Sequence, residues 1–346
     1  MPGVIDPTPR IEYAIDGYVQ EIRWTADSSR VLASSADGEI ALFDVRQGHR
    51  LWSAAGHELG NASCDITRDG SRVVSCGQDT RVLILDGHTG ECVSSAALPA
   101  WGERVRFSGD DRQIAVASGK NVLVFDSESF DRADPRPTRI LGPHTSTVTD
   151  IGYSPVDSET LATTSYGAVT LWNTRTHSEP RVLAWQGSSL VLSWSPDGRF
   201  IATGDQDSTV HFWFADSGHD LRMYGFQTKV TQLSWDYSGR YLATGGSDMP
   251  SIWDCSGTEG PAETRPIELR FHETVVSCLC FANDRQILAS GDSFGNIAIW
   301  KPLSSNTPVQ VVTAPAGVTG FSFSMDDANL CATLDDGGIL IFKTRL

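Results

Sequence analysis

The stretch Leu190-Val191-Leu192-Ser193-Trp194-Ser195-Pro196-Asp197-Gly198-Arg199-Phe200-Ile201-Ala202-Thr203-Gly204-Asp205-Gln206-Asp207-Ser208-Thr209-Val210-His211-Phe212-Trp213 decides the fold. It contains three short β-like runs and two turns. The first run ends at Trp194. Pro196-Asp197-Gly198 then supplies turn chemistry, because proline presets φ and glycine accepts φ > 0. A second run covers residues 200–203, a hairpin falls at 205–208, and a third run ends at Trp213. Residues 220–224, beyond another turn, supply a fourth.

The same unit recurs on both sides. Trp24, Ile66, Phe107, Tyr153, Trp194, Trp235, Phe281 and Phe323 close first strands; Phe43, Leu85, Phe125, Trp172, Trp213, Trp253, Trp300 and Phe342 close third strands. The repeats start at residues 19, 61, 102, 148, 189, 230, 276 and 318, so none is skipped. One four-stranded sheet cannot bury both of its faces, whereas a closed ring of sheets can. The expected fold is therefore all-β, a single closed β-propeller of four-stranded antiparallel blades. Eight blades are expected. The alternative is seven, with one repeat degraded or packed outside, and repeat three is the weakest because Gly119-Lys120-Asn121 replaces the usual hairpin. Residues 127–137 and 255–266 lengthen two repeats as surface excursions.

In this pattern the chain resembles the WD-repeat (WD40) family over roughly residues 10 to 346. The resemblance rests on Trp253-Asp254, on the variants Phe43-Asp44, Leu85-Asp86, Phe125-Asp126 and Trp172-Asn173, and on the Gly-His-like starts Gly56-His57 and Pro143-His144. In that family the repeat is offset from the blade, which implies that an N-terminal strand at 10–15 closes the last blade. Residues 1–9 are expected to be a flexible tail, and 10–346 a single domain. The family's buried His, Ser/Thr, Asp and Trp set implies structural braces at His57, Ser75 and Asp79; at His144, Thr163 and Trp172; at Thr203, Asp207 and Trp213; at Thr244, Asp248 and Trp253; and at His272, Ser290 and Trp300. No repeat reads as having all four members, since Leu85, Tyr166, Trp185, Phe226 and Phe294 stand at brace positions. A His-Ser-Asp trio in this setting is a brace, not a hydrolase triad.

Composition limits the partners. The 346 residues include 27 basic and 43 acidic side chains, a net charge of -16, which repels nucleic-acid phosphates and anionic lipid. Neither nucleic acid nor membrane is an expected partner. No stretch approaches the roughly 20 apolar residues that span a bilayer, and the first thirty residues, with Pro2, Pro7 and Pro9, lack an apolar leader. A cytoplasmic protein is expected. Seven scattered cysteines, mostly within expected strands, read as small core residues, and no metal site or cofactor is expected at Cys278, Cys280 and His272. Gly291-Asp292-Ser293-Phe294-Gly295 matches a nucleophile pattern in letters only, because it occupies a hairpin slot.

Two groups of residues stand out. On the first strands of repeats one to four, Glu21, Arg23, Asp65, Arg104, Arg106 and Asp150 alternate on one strand face. Buried charges persist when paired, so ion pairs between neighbouring blades are expected, such as Arg23 with Asp65 and Asp65 with Arg106. In the WD-repeat family, partners dock on loops leading into first strands and on the hairpins between second and third strands. The matching residues are Asp16, Tyr18, Glu58, Gln78, Trp101, Gln186, Gln206, Gln227, Lys229 and Glu273, with Trp52 a lesser candidate on the side surface. The resemblance thus implies a non-catalytic scaffold that docks proteins or peptides, with basic segments favoured by the acidic body. The alternatives are a small-molecule or modified-peptide reader at the charged half of the channel and, ranked below it, a propeller enzyme.

Overall fold

Backbone hydrogen bonding gathers the alternating runs into sheets. The computed structural model describes residues 8–9, 11–131, 135–262 and 264–344. Residues 1–7 of the expected tail, and Arg10 of the expected closing strand, lie outside the described residues. The fold is all-β, with four-stranded antiparallel blades of propeller type. In repeat one the strands Val19–Trp24, Arg30–Ser35, Glu39–Asp44 and His49–Ala55 pair in chain order.

Among the described residues seven sheets form, six of four strands and one of six, so the expectation of eight separate blades is corrected to seven by this count. Repeats four and five cause the difference. Thr160–Asn173 and Arg181–Trp194 are each 14 residues long and run on from one set of pairings into the next. Within the former, Leu161–Thr164 pair with Asp150–Tyr153, and Ala168–Leu171 pair with Arg181–Ala184. The chain reverses at Gly167, whose φ of 92° suits a residue without Cβ. Repeat three, the weakest in sequence, is regular: Gly119 and Lys120 form a tight turn between paired Ser118 and Asn121.

The strands fall into two compact units, Ile15–Leu192 and Met1–Ala14 with Ser193–Leu346. In the first unit the core lies in layers between successive sheets. Leu32, Ile40, Leu42 and Trp52 of repeat one meet Cys64, Ile66, Val73 and Leu85 of repeat two. The layers between repeats two and three, and between three and four, are built the same way. Each fully buried Leu, Ile or Phe in these layers stabilises by roughly 1.5–3 kcal/mol. Trp52 belongs to this core, not to the side surface: it is 8% exposed and its Nε1–H donates to Gly87 O at 3.1 Å. The excursion after residue 126 is likewise anchored, with Phe130 buried against Phe125 at a ring separation of 5.1 Å.

In the second unit, Ile11–Ala14 pairs antiparallel with Gly338–Ile341 and completes the last sheet. Layers between repeats five and six, six and seven, and seven and eight carry its core. A local device recurs in both units after the first strands. The hydroxyls of Thr25, Thr67, Ser108, Ser195 and Ser324 each donate to an aspartate two residues on, at 2.6–2.7 Å. Each also accepts an N–H from five residues on, closing the turn into the second strand.

Candidate functional site

The charged row and the aromatic rim of the Ile15–Leu192 unit are the two places where the sequence puts chemistry. First strands lie at sheet edges in repeats one to four, so one row of their backbone N–H and C=O groups has no neighbouring strand. The charged side chains serve that row. Glu21 Oε2 accepts Cys64 N–H at 2.9 Å and the Ser63 hydroxyl at 2.8 Å. Asp65 Oδ2 accepts Phe107 N–H, and Asp150 Oδ2 accepts Leu192 N–H, both at 2.9 Å. Each acid thus caps the strand of the following repeat. The guanidinium groups turn to carbonyls: Arg23 donates to Ile22 O at 3.1 Å, Arg104 to Glu103 O at 2.9 Å and Arg106 to Val105 O at 2.8 Å.

The same groups pair as ions. Arg23 Nε lies 3.5 Å from Asp65 Oδ1, and Arg104 Nε lies 3.4 Å from Asp150 Oδ1. Arg23 also bonds Glu21 on its own strand. Arg106 takes Glu21, at 2.8 Å, instead of the expected Asp65, because Asp65 is already committed to Phe107 N–H and Arg23. Burial alone would raise the Glu21 carboxyl, but Arg106, Arg23 and the two donors from Ser63 and Cys64 hold it down at about 2. Burial dominates at Asp65, whose carboxyl is pushed up despite Arg23 and Arg106. The capping of backbone groups was not anticipated from sequence, where only the alternation of charge was visible.

The braces are resolved repeat by repeat. His57 bridges Asp79 at 2.8 Å and Ser75 at 3.0 Å. His144 bonds Lys120 O at 2.9 Å and Thr163 at 2.8 Å, and Thr163 also accepts Trp172 Nε1–H at 3.0 Å. Repeat seven corrects the expectation that no repeat has four members. His272 bonds both Asp292 and Ser290 at 2.8 Å, and Trp300 donates to Ser290 at 2.8 Å. The acid comes from two residues before Phe294, so a search at the fixed position missed it.

Asp207 stands outside its brace: it is exposed and bonds Arg222 and Thr209, while buried Asp205 takes His211 at 3.1 Å. Thr203 Oγ1 and Trp213 Nε1 are buried without a hydrogen-bond partner among the described residues. Thr244 accepts Trp253 Nε1–H at 3.1 Å, but Asp248 instead accepts Gln227 Nε2–H at 2.8 Å. Burial pulls His57, His144 and His272 below the ordinary histidine range, which leaves them neutral at pH 7. The Ser75 and Ser290 side chains are fully buried, out of reach of a substrate. Among the described residues, no group of three His, Cys, Asp or Glu is placed to hold a metal, and no helix is long and apolar enough to cross a membrane.

All ten rim candidates are exposed. In the Ile15–Leu192 unit these are Asp16, Tyr18, Glu58, Gln78, Trp101 and Gln186; in the other unit they are Gln206, Gln227, Lys229 and Glu273. Tyr18 is 45% and Trp101 56% exposed, high values for such large rings. Trp101 lines a cavity of about 350 Å³ with Thr80, Ala100, Glu103, Gly119 and Thr147. Sequence reading overlooked exposed Leu59, Tyr166 and Phe294. The last two were weighed only as losses from a brace, although a large ring at a hairpin tip is itself a signal.

Known proteins show similarities in keeping with this architecture. The WD40 family profile, described as WD domain, G-beta repeat, matches residues 177–213, 218–254 and 264–301. A profile described as outer membrane protein assembly factor BamB matches 20–133. A probable cytosolic Fe-S cluster assembly factor of Schizosaccharomyces japonicus is 33% identical over 75% of this chain and 45% of its own length. Autophagy-related protein 16 of Arabidopsis thaliana is 25% identical over 60% of this chain and 41% of its own. This chain spans about half the length of such relatives or less. The crystal structure of the computationally designed Ika8 protein shares the fold, with a TM-score of 0.79 and 20% identity, over 95% of this chain and 97% of that one. Its sequence carries WD40 repeats at three positions, and its sheets are blades of propeller type.

Proposed function

We propose that the chain is a non-catalytic scaffold that docks partner proteins or peptides on the rim around Tyr18 and Trp101, and that it works in the cytoplasm. The observation that carries this reading is Trp101, a large ring left 56% exposed beside a cavity in a unit where Trp24 and Trp52 are buried. Aromatic residues of this kind supply the desolvated anchors that dominate many interfaces, often about 2 kcal/mol or more each. The WD-repeat relatives, whose names span autophagy and Fe-S cluster assembly, support interaction as the common role. The charged row supports a ligand reader less well, because its carboxylates and guanidinium groups are committed to one another and to backbone groups.

Affinity co-purification from a cell lysate tests the rim. The intact chain is compared with a Tyr18→Ala, Trp101→Ala double variant whose fold is checked by circular dichroism. A partner held by the first and lost by the second is the expected result. Equal retention by both would refute the rim as the docking surface.

A further inference from the structure

Five of the first strands begin with an irregularity in their pairing. The pairing register shifts at Gln20, Ala62, Glu103, Ser277 and Thr319, which are β-bulge residues at equivalent points of repeats one, two, three, seven and eight. Bulges turn a side chain out of the sheet's alternation and are enriched beside functional sites. In two of these repeats the bulge hydroxyl is used locally: Ser277 donates to Val318 O at 2.5 Å, and Thr319 bonds Thr333 at 2.8 Å. Glu103 is the one carboxylate among the five.

That carboxylate differs from the acids beside it. Glu21, Asp65 and Asp150 are each hydrogen-bonded and ion-paired, whereas the Glu103 carboxylate makes no hydrogen bond or ion pair among the described residues. It is half-buried and lines the Trp101 cavity. Burial pushes its carboxyl up, opposed by Arg104, whose guanidinium is engaged with Asp150 and with Glu103's own carbonyl. A partly desolvated, unpaired anion gains from a cation brought to it.

The walls are already held. Ser118 Oγ accepts Ala100 N–H at 3.0 Å and donates to Ala100 O at 2.8 Å, fixing the loop before Trp101. Leu98 N–H donates to Thr80 O, and Val148 N–H to Gly119 O, both at 2.8 Å. A cavity of about 350 Å³ stands at the low end of ligand pockets, which run from roughly 300 to 1,000 Å³, and suits one long side chain better than a cofactor.

We propose that the Trp101 cavity is the seat for a single basic side chain of a partner peptide, arginine above lysine, with Glu103 as its counter-ion; this deepens the rim reading and rests on it. A planar guanidinium stacks on an indole and offers a carboxylate two parallel N–H donors, while an ammonium offers only a point charge. The body's net charge of -16 draws such a segment in from solution.

The test is titration calorimetry of the intact chain with a nine-residue glycine-alanine peptide bearing one central arginine, beside versions with lysine or neutral citrulline there. Arginine is expected to bind at least about tenfold tighter than citrulline, with lysine between them. Glu103→Gln and Trp101→Ala should each lose about tenfold, and Glu91→Gln, an exposed acid outside the rim set, less than about twofold. Equal binding of the arginine and citrulline peptides, no binding of the arginine peptide, or full binding by Glu103→Gln would each overturn the proposal. The co-purification described above, repeated with Glu103→Gln and Trp101→Ala singly, separates this inference from the rim reading. Loss with Trp101→Ala alone leaves the rim standing and removes the ionic seat, whereas loss with neither, and none with the double variant, removes both.

Discussion

Glu21 gathers two arginines, a hydroxyl and a backbone N–H of the next repeat around one carboxylate. Its folded value of about 2 lies below its ordinary 4.5, so its contribution is full above the ordinary value and is lost as pH falls from there toward 2. The contribution is about 3 kcal/mol at neutral pH. Glu21→Gln is therefore expected to lower stability at pH 7 and to flatten its fall on acidification, as read by urea denaturation at pH 7, 4.5 and 3. Asp65 acts in the opposite sense. With its folded value raised, its ionised form costs stability above that value and the cost is relieved on acidification, so Asp65→Asn should steepen the acid loss. At this scale the residue types were legible, since alternating charges on edge strands announced paired groups. Their partners were not: Arg106 reaching Glu21, and carboxylates capping backbone N–H, depend on how successive strands lie beside one another.

Ile11–Ala14 supplies the fourth strand of the last sheet, and its removal leaves Gly338–Lys343 as an open edge. Deleting residues 1–14 is expected to lower the melting temperature by several degrees and to promote association, measured by scanning calorimetry and light scattering. A truncated chain that melted with the intact one would refute the closing role of this strand. The sequence marked this element well, because its alternation is clear. It marked sheet boundaries less well. Pairing with Arg181–Trp194 continues on both sides of Gly167, across a register shift between Tyr166 and Ala168, and nothing in the composition of 160–173 marks this in advance. The acid of repeat seven escaped for a related reason, since its hairpin tolerates a shift of two residues while the histidine keeps its partner.

Over the whole molecule, 43 acidic residues against 27 basic ones create a field that acts before contact. Association with a basic peptide should slow by roughly tenfold between low and physiological salt, while dissociation changes little; stopped-flow mixing across ionic strength measures both. A rate indifferent to salt would sink the electrostatic part of the reading. The fold class was legible at this scale because one pattern recurs eight times, and recurrence averages out the ambiguity of any single strand. The capping of Cys64, Phe107 and Leu192 by acids of the preceding repeats carries a consequence for recognition itself. A free sheet edge invites an extended segment to join as another strand, with affinity drawn from the main chain and little regard for what that segment spells. Along this edge those donors are already occupied, so a guest cannot zip onto the backbone and must instead be recognised by its side chains. Discrimination among partners is then set by the few rim residues that touch them.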